Sequence, residues 1–482
     1  MSEAEASRQA AGAVLAVDLD GTLIRSDMLL ESFWAALARD APATLRALFH
    51  LRQGRAALKA ALAGIAAPDP ALLPYNSAVL AEIEAWRAAS GRVVLVTAAD
   101  ENLAQAVSAH LGLFDAVLAS DGQVNLKGAA KAEALRQRFG AGGYAYIGDS
   151  AADLPVWAGA REALVVGAGP GLRGRLGDVP VPLRHLPGHR PGASAFWRAM
   201  RPHQWLKSLL VFVPMVAGHD FAGLTLLQGM LAFLAFALVA SSVYLLNDLL
   251  DLQADRAHPR KRHRPLASGA LHLAHGMALM PLLLLAGLAL ALALPPLFLG
   301  VVLGYYALTV AYSLWLKRKA LIDIFTLAAL YALRVVAGAA ATGLSLTVWL
   351  VAFSVFFFLA LAAVKRQAEL VDAGQRGLAD PVGRGYRLGD LPIVTQMAVT
   401  SGFVAVLVMM LYLNSPDVLV RYSRPDLLWG ACLVLLYWLA RMVMVAHRGR
   451  MHDDPVVFAA RDRVSLVALA LMGGLFVGAS LP

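Results

Sequence analysis

The chain has 482 residues, 59% of them hydrophobic, with 42 Lys and Arg against 33 Asp and Glu and a formal charge of +9. A mean hydropathy of +0.62 excludes an ordinary water-soluble globule, and the length excludes one small domain. The single cysteine, Cys432, excludes an intrachain disulfide and a cysteine-based zinc site.

In chain order, residues 1–9 are polar and the apolar run 13–17 is cut by Asp18, so no cleavable signal peptide is expected. Residues 1–195 mix charges, helix formers and short apolar runs, the pattern of a soluble α/β domain. The run 13–17 predicts a buried strand that leads into Asp18-Leu19-Asp20-Gly21-Thr22-Leu23. Residues 27–90 are helical in pattern. A second strand, 93–96, ends in Thr97; a third, 144–147, ends in Gly148-Asp149-Ser150-Ala151-Ala152-Asp153, with Lys131 in the helix before it. Each polar group follows a strand, at the carboxyl edge where open α/β sheets bind ligands. Residues 167–197 are Pro/Gly-rich and basic, a linker composition. Residues 196–207 read as an amphipathic interfacial helix with aromatic anchors.

From Trp205 onward, apolar segments of about 18–23 residues recur, each long enough to cross a hydrocarbon core of ~30 Å. Nine are expected: 206–219, 226–247, 274–294, 297–316, 321–342, 346–365, 392–413, 426–446 and 463–481. The loops after the second, fourth, sixth and eighth segments carry the basic stretches 256–264, 317–319, 365–387 and 447–463. The alternate loops carry little beyond Asp220, Pro295, Pro296, Arg421 and Arg424. The positive-inside rule makes the first set cytoplasmic, together with the N-terminal domain, and puts the C-terminus on the far side. The concentrated positive charge would attract anionic lipids and phosphorylated substrates. Nucleic acid is not an expected partner, because the basic residues of this half are confined to short loops.

Residues 244–269 carry the most chemistry. An apolar segment runs into Asn247, Asp248, Asp251 and Asp255, then into Arg256, Arg260, Lys261, Arg262 and Arg264. Positions 248, 251 and 255 share one face of a helix. Hard oxygen donors of this kind suit Mg²⁺ that keeps waters and takes substrate phosphates as further ligands, and the basic run would meet the remaining phosphate charge. The competing reading is a solvated helix end whose cations only set topology. His258, His263 and His452 lack metal-ligand spacing, so zinc is not expected.

Over residues 10–170 the four motifs, in this order, resemble the haloacid-dehalogenase-type phosphohydrolase family. The resemblance implies a Rossmann-like α/β fold with a small helical cap at about 27–90. In it Asp18 is the nucleophile and Asp20 the general acid and base. Mg²⁺ would lie at Asp18, the Asp20 carbonyl and Asp149, with Asp153 in support. Thr97 and Lys131 would bind phosphoryl oxygens, with Lys127 the rival lysine. A degenerate domain kept for docking is the alternative.

Residues 198–482 resemble the UbiA-type intramembrane prenyltransferase superfamily, on the strength of the nine expected spans, the Asn247–Asp255 motif and the lead-in Arg201-Pro202-His203-Gln204-Trp205-Leu206-Lys207. This implies an all-α polytopic bundle. Ordinary members hold a prenyl diphosphate through two Asp-rich motifs and Mg²⁺. Here the second motif, residues 312–323, keeps one acid, Asp323, and cations follow at Arg334, Lys365 and Arg366. With His452-Asp453-Asp454-Pro455 and Asp462 late in the chain, these features look like the decaprenyl-phosphate phosphoribosyltransferase branch. That branch implies transfer of phosphoribose from phosphoribosyl diphosphate to a polyprenyl phosphate. Asn247, Asp251 and Asp255 would then be magnesium ligands, with Asp248 and Asp251 the catalytic acids. Lys207, Tyr244 and Lys261 would orient the donor, while Arg264, Lys317, Arg334, Lys365 and Arg366 would hold the lipid phosphate or the ribose 5-phosphate.

The combined expectation is a bifunctional enzyme of the cytoplasmic membrane, multi-pass, with magnesium in both domains: residues 1–170 the hydrolase, 171–197 a linker, 198–482 the transferase. The hydrolase would remove the 5-phosphate of the product, in the service of cell-wall or arabinan-type precursors. A homo-oligomer is compatible with the sequence and not required by it. One alternative is a conventional prenyltransferase using prenyl diphosphate and an aromatic or glycerol-phosphate acceptor. Another is a lipid-binding scaffold or transporter for the phosphatase.

Overall fold

The computed structural model describes residues 14–121, 124–188, 191–377, 385–416, 418, 422–451 and 454–481. Arg421, His452 and Asp453 lie outside these described residues.

The N-terminal part is built on a six-stranded parallel sheet in the order β3-β2-β1-β4-β5-β6. Its strands are β1 (Val14–Val17), β2 (Arg92–Asp100), β3 (Ala116–Ser120), β4 (Tyr144–Gly148), β5 (Glu162–Val166) and β6 (Leu183–Leu186). Unbroken apolar runs form these strands because both faces are covered. Leu15, Val17, Val93 and Leu95 enter one core, and Val14, Ala16, Val94 and Val96 the other. β1 pairs with β2 on one side and β4 on the other, so the strand order reverses beside β1, where α/β sheets open a ligand crevice.

Between β1 and β2 lie α1 (Met28–Arg39), α2 (Ala41–Ala47), α3 (Arg55–Ile65) and α4 (Ser77–Ala88). The first three share a small core of Ala36, Ala47, Leu58 and Leu62, separate from the sheet. The expected cap at 27–90 is therefore too long. α4 sends Val79, Ile83 and Trp86 into the main core, so it is a layer of the sheet domain. α5 (Glu101–Leu111), α6 (Ala129–Phe139), α7 (Leu154–Ala158) and α8 (Pro170–Leu176) complete the α/β fold.

The expected linker 171–197 is also corrected. It contributes most of α8, then β6 in register with β5, then the start of α9 (Ala193–Met200). β6 has the half-exposed alternation of an edge strand, and its Arg184 and His185 hide it among prolines and glycines.

Beyond α9, an 11-residue 3₁₀ stretch, Pro202–Phe212, passes into α10 (Val213–Gly218). The expected span 206–219 is thus not one long helix; Pro214 opens a fresh helical start and Gly218 closes it. α11 (Gly223–Leu250) and α12 (Leu252–Ala257) follow, then α13 (Leu273–Ala291), α14 (Pro296–Leu314), α15 (Ile322–Thr342) and α16 (Val348–Gln375). The chain ends with α17 (Leu391–Leu413), α18 (Leu427–His447), α19 (Pro455–Ala459) and α20 (Arg463–Ser480). Among the described residues eight helices, α11, α13 to α18 and α20, are long and apolar enough to cross a membrane, rather than nine. Exposed apolar side chains stud them, with Leu285 at 65%, Leu297 at 68% and Val348 at 81%. Such a surface is stable against lipid and not against water, and the protein is integral to a membrane.

The chain divides into two compact units. The first comprises Met1–Ala199 and Leu245–Leu279, the second Met200–Tyr244 and Met280–Pro482. The acidic motif and its basic run thus belong with the sheet domain, although the sequence suggests a transferase domain continuous from residue 198.

Candidate functional sites

In the first unit, Asp18 follows β1, Thr97 lies in β2, Asp149 follows β4, and Asp153 sits in the turn before α7. The carboxylates of Asp18, Asp149 and Asp153 converge with one oxygen of each within 4.8 Å of the others. Lys131, buried on α6, donates to Asp18 Oδ1 at 2.6 Å and lies 3.9 Å from Asp153 Oδ1. Of the two rival lysines, Lys131 is therefore the one paired with Asp18. Tyr146 bridges the pair, accepting from Lys131 at 2.9 Å and donating to Asp153 at 2.8 Å. Asp153 also accepts from Ser150 N and Oγ at 3.1 and 3.0 Å, which fixes the turn bearing Asp149. Thr97 is fully buried, and its Oγ1 accepts from Ala99 N at 3.0 Å. Asp20 Oδ1 accepts from Met28 N at 2.8 Å, at the start of α1. Gly21 has φ +74°, and a Cβ there would collide with the Asp149 carboxylate.

Four acids surround one lysine. Burial, with Asp27 and Asp18, pushes Asp20 up to about 8. Burial, with Asp18 and Asp153, pushes Asp149 up to about 8. Burial likewise raises Asp18 to about 6, although Lys131 opposes the rise. This all-oxygen donor set with surplus negative charge fits Mg²⁺. The raised values have a measurable consequence. Without metal, the stability gained by keeping Asp20 and Asp149 protonated is full below the usual carboxylate range and is lost as pH rises through about 8. Magnesium displaces those protons. The thermal stabilisation of this domain by Mg²⁺ is therefore expected to be larger at pH 8.5 than at pH 6, and paired melting curves check it.

The acidic motif beyond α11 belongs to the same unit. Asn247 and Asp248 lie in the last turn of α11, Asp251 at the joint with α12, and Asp255 on α12. The α-type hydrogen bonds persist across the joint, Asp251 N to Asn247 O and Asp255 N to Asp251 O at 2.9 and 2.8 Å, so the expected shared face survives. Arg264 folds back onto it, with Nη1 3.2 Å from Asp248 Oδ1 and 2.5 Å from Asp255 Oδ2. Burial pushes Asp255 up to about 6; Arg264 opposes the rise and Asp248 adds to it. Lys261 is exposed in the 3₁₀ turn that follows. An amide and three carboxylates at one helix end again form a hard-oxygen set that fits magnesium.

The second unit gathers cations. Asp454 Oδ2 lies 2.7 Å from Lys207 Nζ and 3.2 Å from Lys365 Nζ. Tyr331 donates to the same carboxylate at 2.7 Å. Burial alone would raise Asp454, but Lys207 and Lys365 hold its carboxyl well below the usual carboxylate range. Arg334 is buried among the rings of Phe236, Tyr305 and Tyr331, with its guanidinium carbon 4.9 to 5.9 Å from their centroids. It donates to Tyr305 Oη at 2.8 Å and to the Leu330 carbonyl. Tyr244 lies in this unit with Arg201 over its ring at 5.6 Å. Lys317 is buried in the turn after α14.

Arg366 stands apart. It is fully buried and grips Asp323, Nε to Oδ2 at 2.7 Å and Nη2 to Oδ1 at 3.0 Å, and it also pairs with Glu369. Its fork is engaged in that network with Asp323 and Glu369. Asp454 and Tyr331 are the residues that the sequence reading did not assign to a site. The signal for Asp454 was local, an acid directly before a proline at a helix start; Tyr331 carries none.

Residues 207–476 match the UbiA prenyltransferase family, and residues 15–157 match the haloacid dehalogenase-like hydrolases. The y4nM protein of Sinorhizobium fredii is 40% identical over 468 residues, covering 96% of this chain and 90% of that one. Nodulation protein NoeC of Azorhizobium caulinodans is 37% identical over 275 residues, 57% of this chain and 89% of its own. The decaprenyl-phosphate phosphoribosyltransferase of Mycolicibacterium smegmatis is 31% identical over 289 residues, covering 58% of this chain and 91% of that protein.

Proposed function

We propose, for a chain that belongs to the UbiA prenyltransferase family and carries a haloacid dehalogenase-like domain at its N-terminus, a two-step enzyme. The membrane half transfers 5-phosphoribose from phosphoribosyl diphosphate to a polyprenyl phosphate, and the soluble half removes the 5-phosphate. The observation that carries this reading is the exchange of acids for cations. One acidic set remains, and in place of a second stand the cations Lys207, Lys365 and Arg334, the first and last of them buried and Lys365 half-buried. The likeness to a decaprenyl-phosphate phosphoribosyltransferase supports the same choice.

In the transfer, Asn247, Asp248, Asp251 and Asp255 would hold magnesium, which supplies neutralisation of the diphosphate leaving group. Tyr244 and Lys261 orient the donor. Asp454 holds Lys207 and Lys365 in place and charged, and their ammonium groups bind phosphate oxygens directly. Arg334 is a buried cation whose hydrogen bonds go to a phenol and a carbonyl, so an anionic group compensates it best. The lipid phosphate oxygen attacks the anomeric carbon as the diphosphate departs.

In the hydrolase, Asp18, the Asp20 carbonyl, Asp149 and Asp153 would hold the second magnesium. Asp18 attacks the 5-phosphate to give an aspartyl-phosphate. Asp20, raised to about 8, carries the proton that the leaving ribose oxygen needs and then accepts one from water. Thr97 and Lys131 hold the phosphoryl oxygens.

The protein sits in the cytoplasmic membrane, with both sites on the inner side. The basic loops after α11, α14, α16 and α18 all fall on one face when the eight helices alternate, and the positive-inside rule makes that face cytoplasmic; with Pro202–Gly218 making one further crossing ahead of them, the N-terminal domain lies on that face too. The test is incubation of the purified chain with labelled phosphoribosyl diphosphate, polyprenyl phosphate and Mg²⁺. Mass spectrometry is expected to show lipid-linked phosphoribose, then its dephosphorylated form. Consumption of a prenyl diphosphate with no turnover of phosphoribosyl diphosphate overturns the reading in favour of a conventional prenyltransferase.

A further inference from the structure

Glu31 lies on α1, the helix that opens the cap of the hydrolase, and is fully buried. Its carboxylate receives both arms of the Arg256 guanidinium, Nη1 to Oε2 at 2.9 Å and Nη2 to Oε1 at 2.6 Å. Arg256 is itself buried on α12, directly after Asp255, and its Nε donates to the Ala267 carbonyl at 2.9 Å. Three donors of one guanidinium thus tie α1, α12 and the returning loop together, a rigid fork that Lys could not replace. The same loop is pressed close elsewhere. Gly269 has φ +71°, and a Cβ there would lie 2.9 Å from Arg25 Cβ and 3.2 Å from both the Arg25 carbonyl and Pro74.

Both ends of this tie sit one step from chemistry. On the hydrolase side, Ser26 donates to Glu31 and its carbonyl accepts from Gly21 N at 3.0 Å. Asp20 caps the first turn of α1 through Met28 N at 2.8 Å. On the other side, Asp255 and Arg264 lie on the segments that Arg256 clamps. Among the basic residues 256–264, Arg256 is therefore withdrawn from phosphate binding.

We propose that Glu31 is a positioning residue for the transferase. Acting through Arg256, it holds α12 and residues 265–269 so that Asp255 and Arg264 meet the diphosphate in register, and helix α1 of the phosphatase domain is a structural support of the acidic motif. This rests on the transferase reading above. Orienting partners behind metal ligands are typically worth 10–100-fold in affinity or activity.

The experiment compares the full-length wild type with Glu31→Gln, Arg256→Gln and the swapped pair Glu31→Arg with Arg256→Glu. Glu31→Gln keeps the shape and loses the charge. Its KM for phosphoribosyl diphosphate is expected to rise about tenfold, while hydrolysis of p-nitrophenyl phosphate stays within about twofold of wild type. Amide hydrogen exchange over residues 252–271 is expected to quicken in both single variants and to slow again in the swapped pair. An unchanged donor KM in a folded Glu31→Gln protein overturns the proposal, as does unchanged exchange, or an equal fall of both activities. Absence of phosphoribosyl transfer in the wild type removes the transferase reading instead, and the exchange rates still decide whether the tie positions the acidic loop.

Discussion

Asp18→Asn is expected to abolish phosphate release while sparing lipid glycosylation. The side chain lies at the carboxyl end of β1, buried, with Lys131 Nζ 2.6 Å away, and an amide of the same shape cannot serve as the nucleophile. Loss of a nucleophile removes the covalent route altogether, so phosphate release is expected to fall by a factor on the order of 10³ or more. The fold should persist, because Asn accepts the Lys131 hydrogen bond through its carbonyl oxygen and relieves part of the acid crowding. The informative readout is the lipid product. In the wild type the dephosphorylated sugar lipid is expected to accumulate; in the variant the 5-phosphorylated form should accumulate at the same initial rate of diphosphate release. A variant that still yields the dephosphorylated lipid at the wild-type rate removes the soluble domain from the pathway.

The hydrolase was legible because its chemistry is local. Asp18, Thr97, Asp149 and Lys131 each sit at the end of a short apolar run or on the helix beside it, so strand pattern and residue type together place them. The acidic motif was legible for the same reason, since 248, 251 and 255 depend only on helix geometry and the hydrogen bonds carry across the joint at Asp251. What escaped was long-range pairing. Glu31 and Arg256 are 225 positions apart, and nothing near either residue marks the other. Asp323 and Arg366, 43 positions apart, read as the one acid left in the second motif and a candidate phosphate ligand, and in the fold each is the other's partner. Composition misled twice. Prolines and glycines around β6 imitate a linker, and the apolar run 206–219 imitates a span although its backbone divides near Pro214 into a 3₁₀ stretch and a short helix.

Asp251→Asn gives the sharpest test of the acidic motif, because Asp251 sits at the helical joint that brings the acids onto one face. Asp248 and Asp255 both bind Arg264, so removing either frees a half-buried guanidinium and disturbs the loop as well as any metal. Asp251 sits at the joint between α11 and α12, half-buried, where its backbone N–H and carbonyl carry the helical hydrogen bonds across. Replacing one carboxylate oxygen by an amide nitrogen there leaves the backbone alone and removes a hard ligand. Transfer of phosphoribose is expected to fall on the order of 10²-fold, the scale of losing one group that stabilises departing charge. Hydrolysis of p-nitrophenyl phosphate should be unchanged, since Asp18, Asp149 and Asp153 are untouched. Raising Mg²⁺ separates the two possible causes. A weakened ligand set regains part of its rate at higher magnesium, because the lost affinity is offset by mass action. A loop that has merely shifted regains none, and that outcome would remove Asp251 from the metal site.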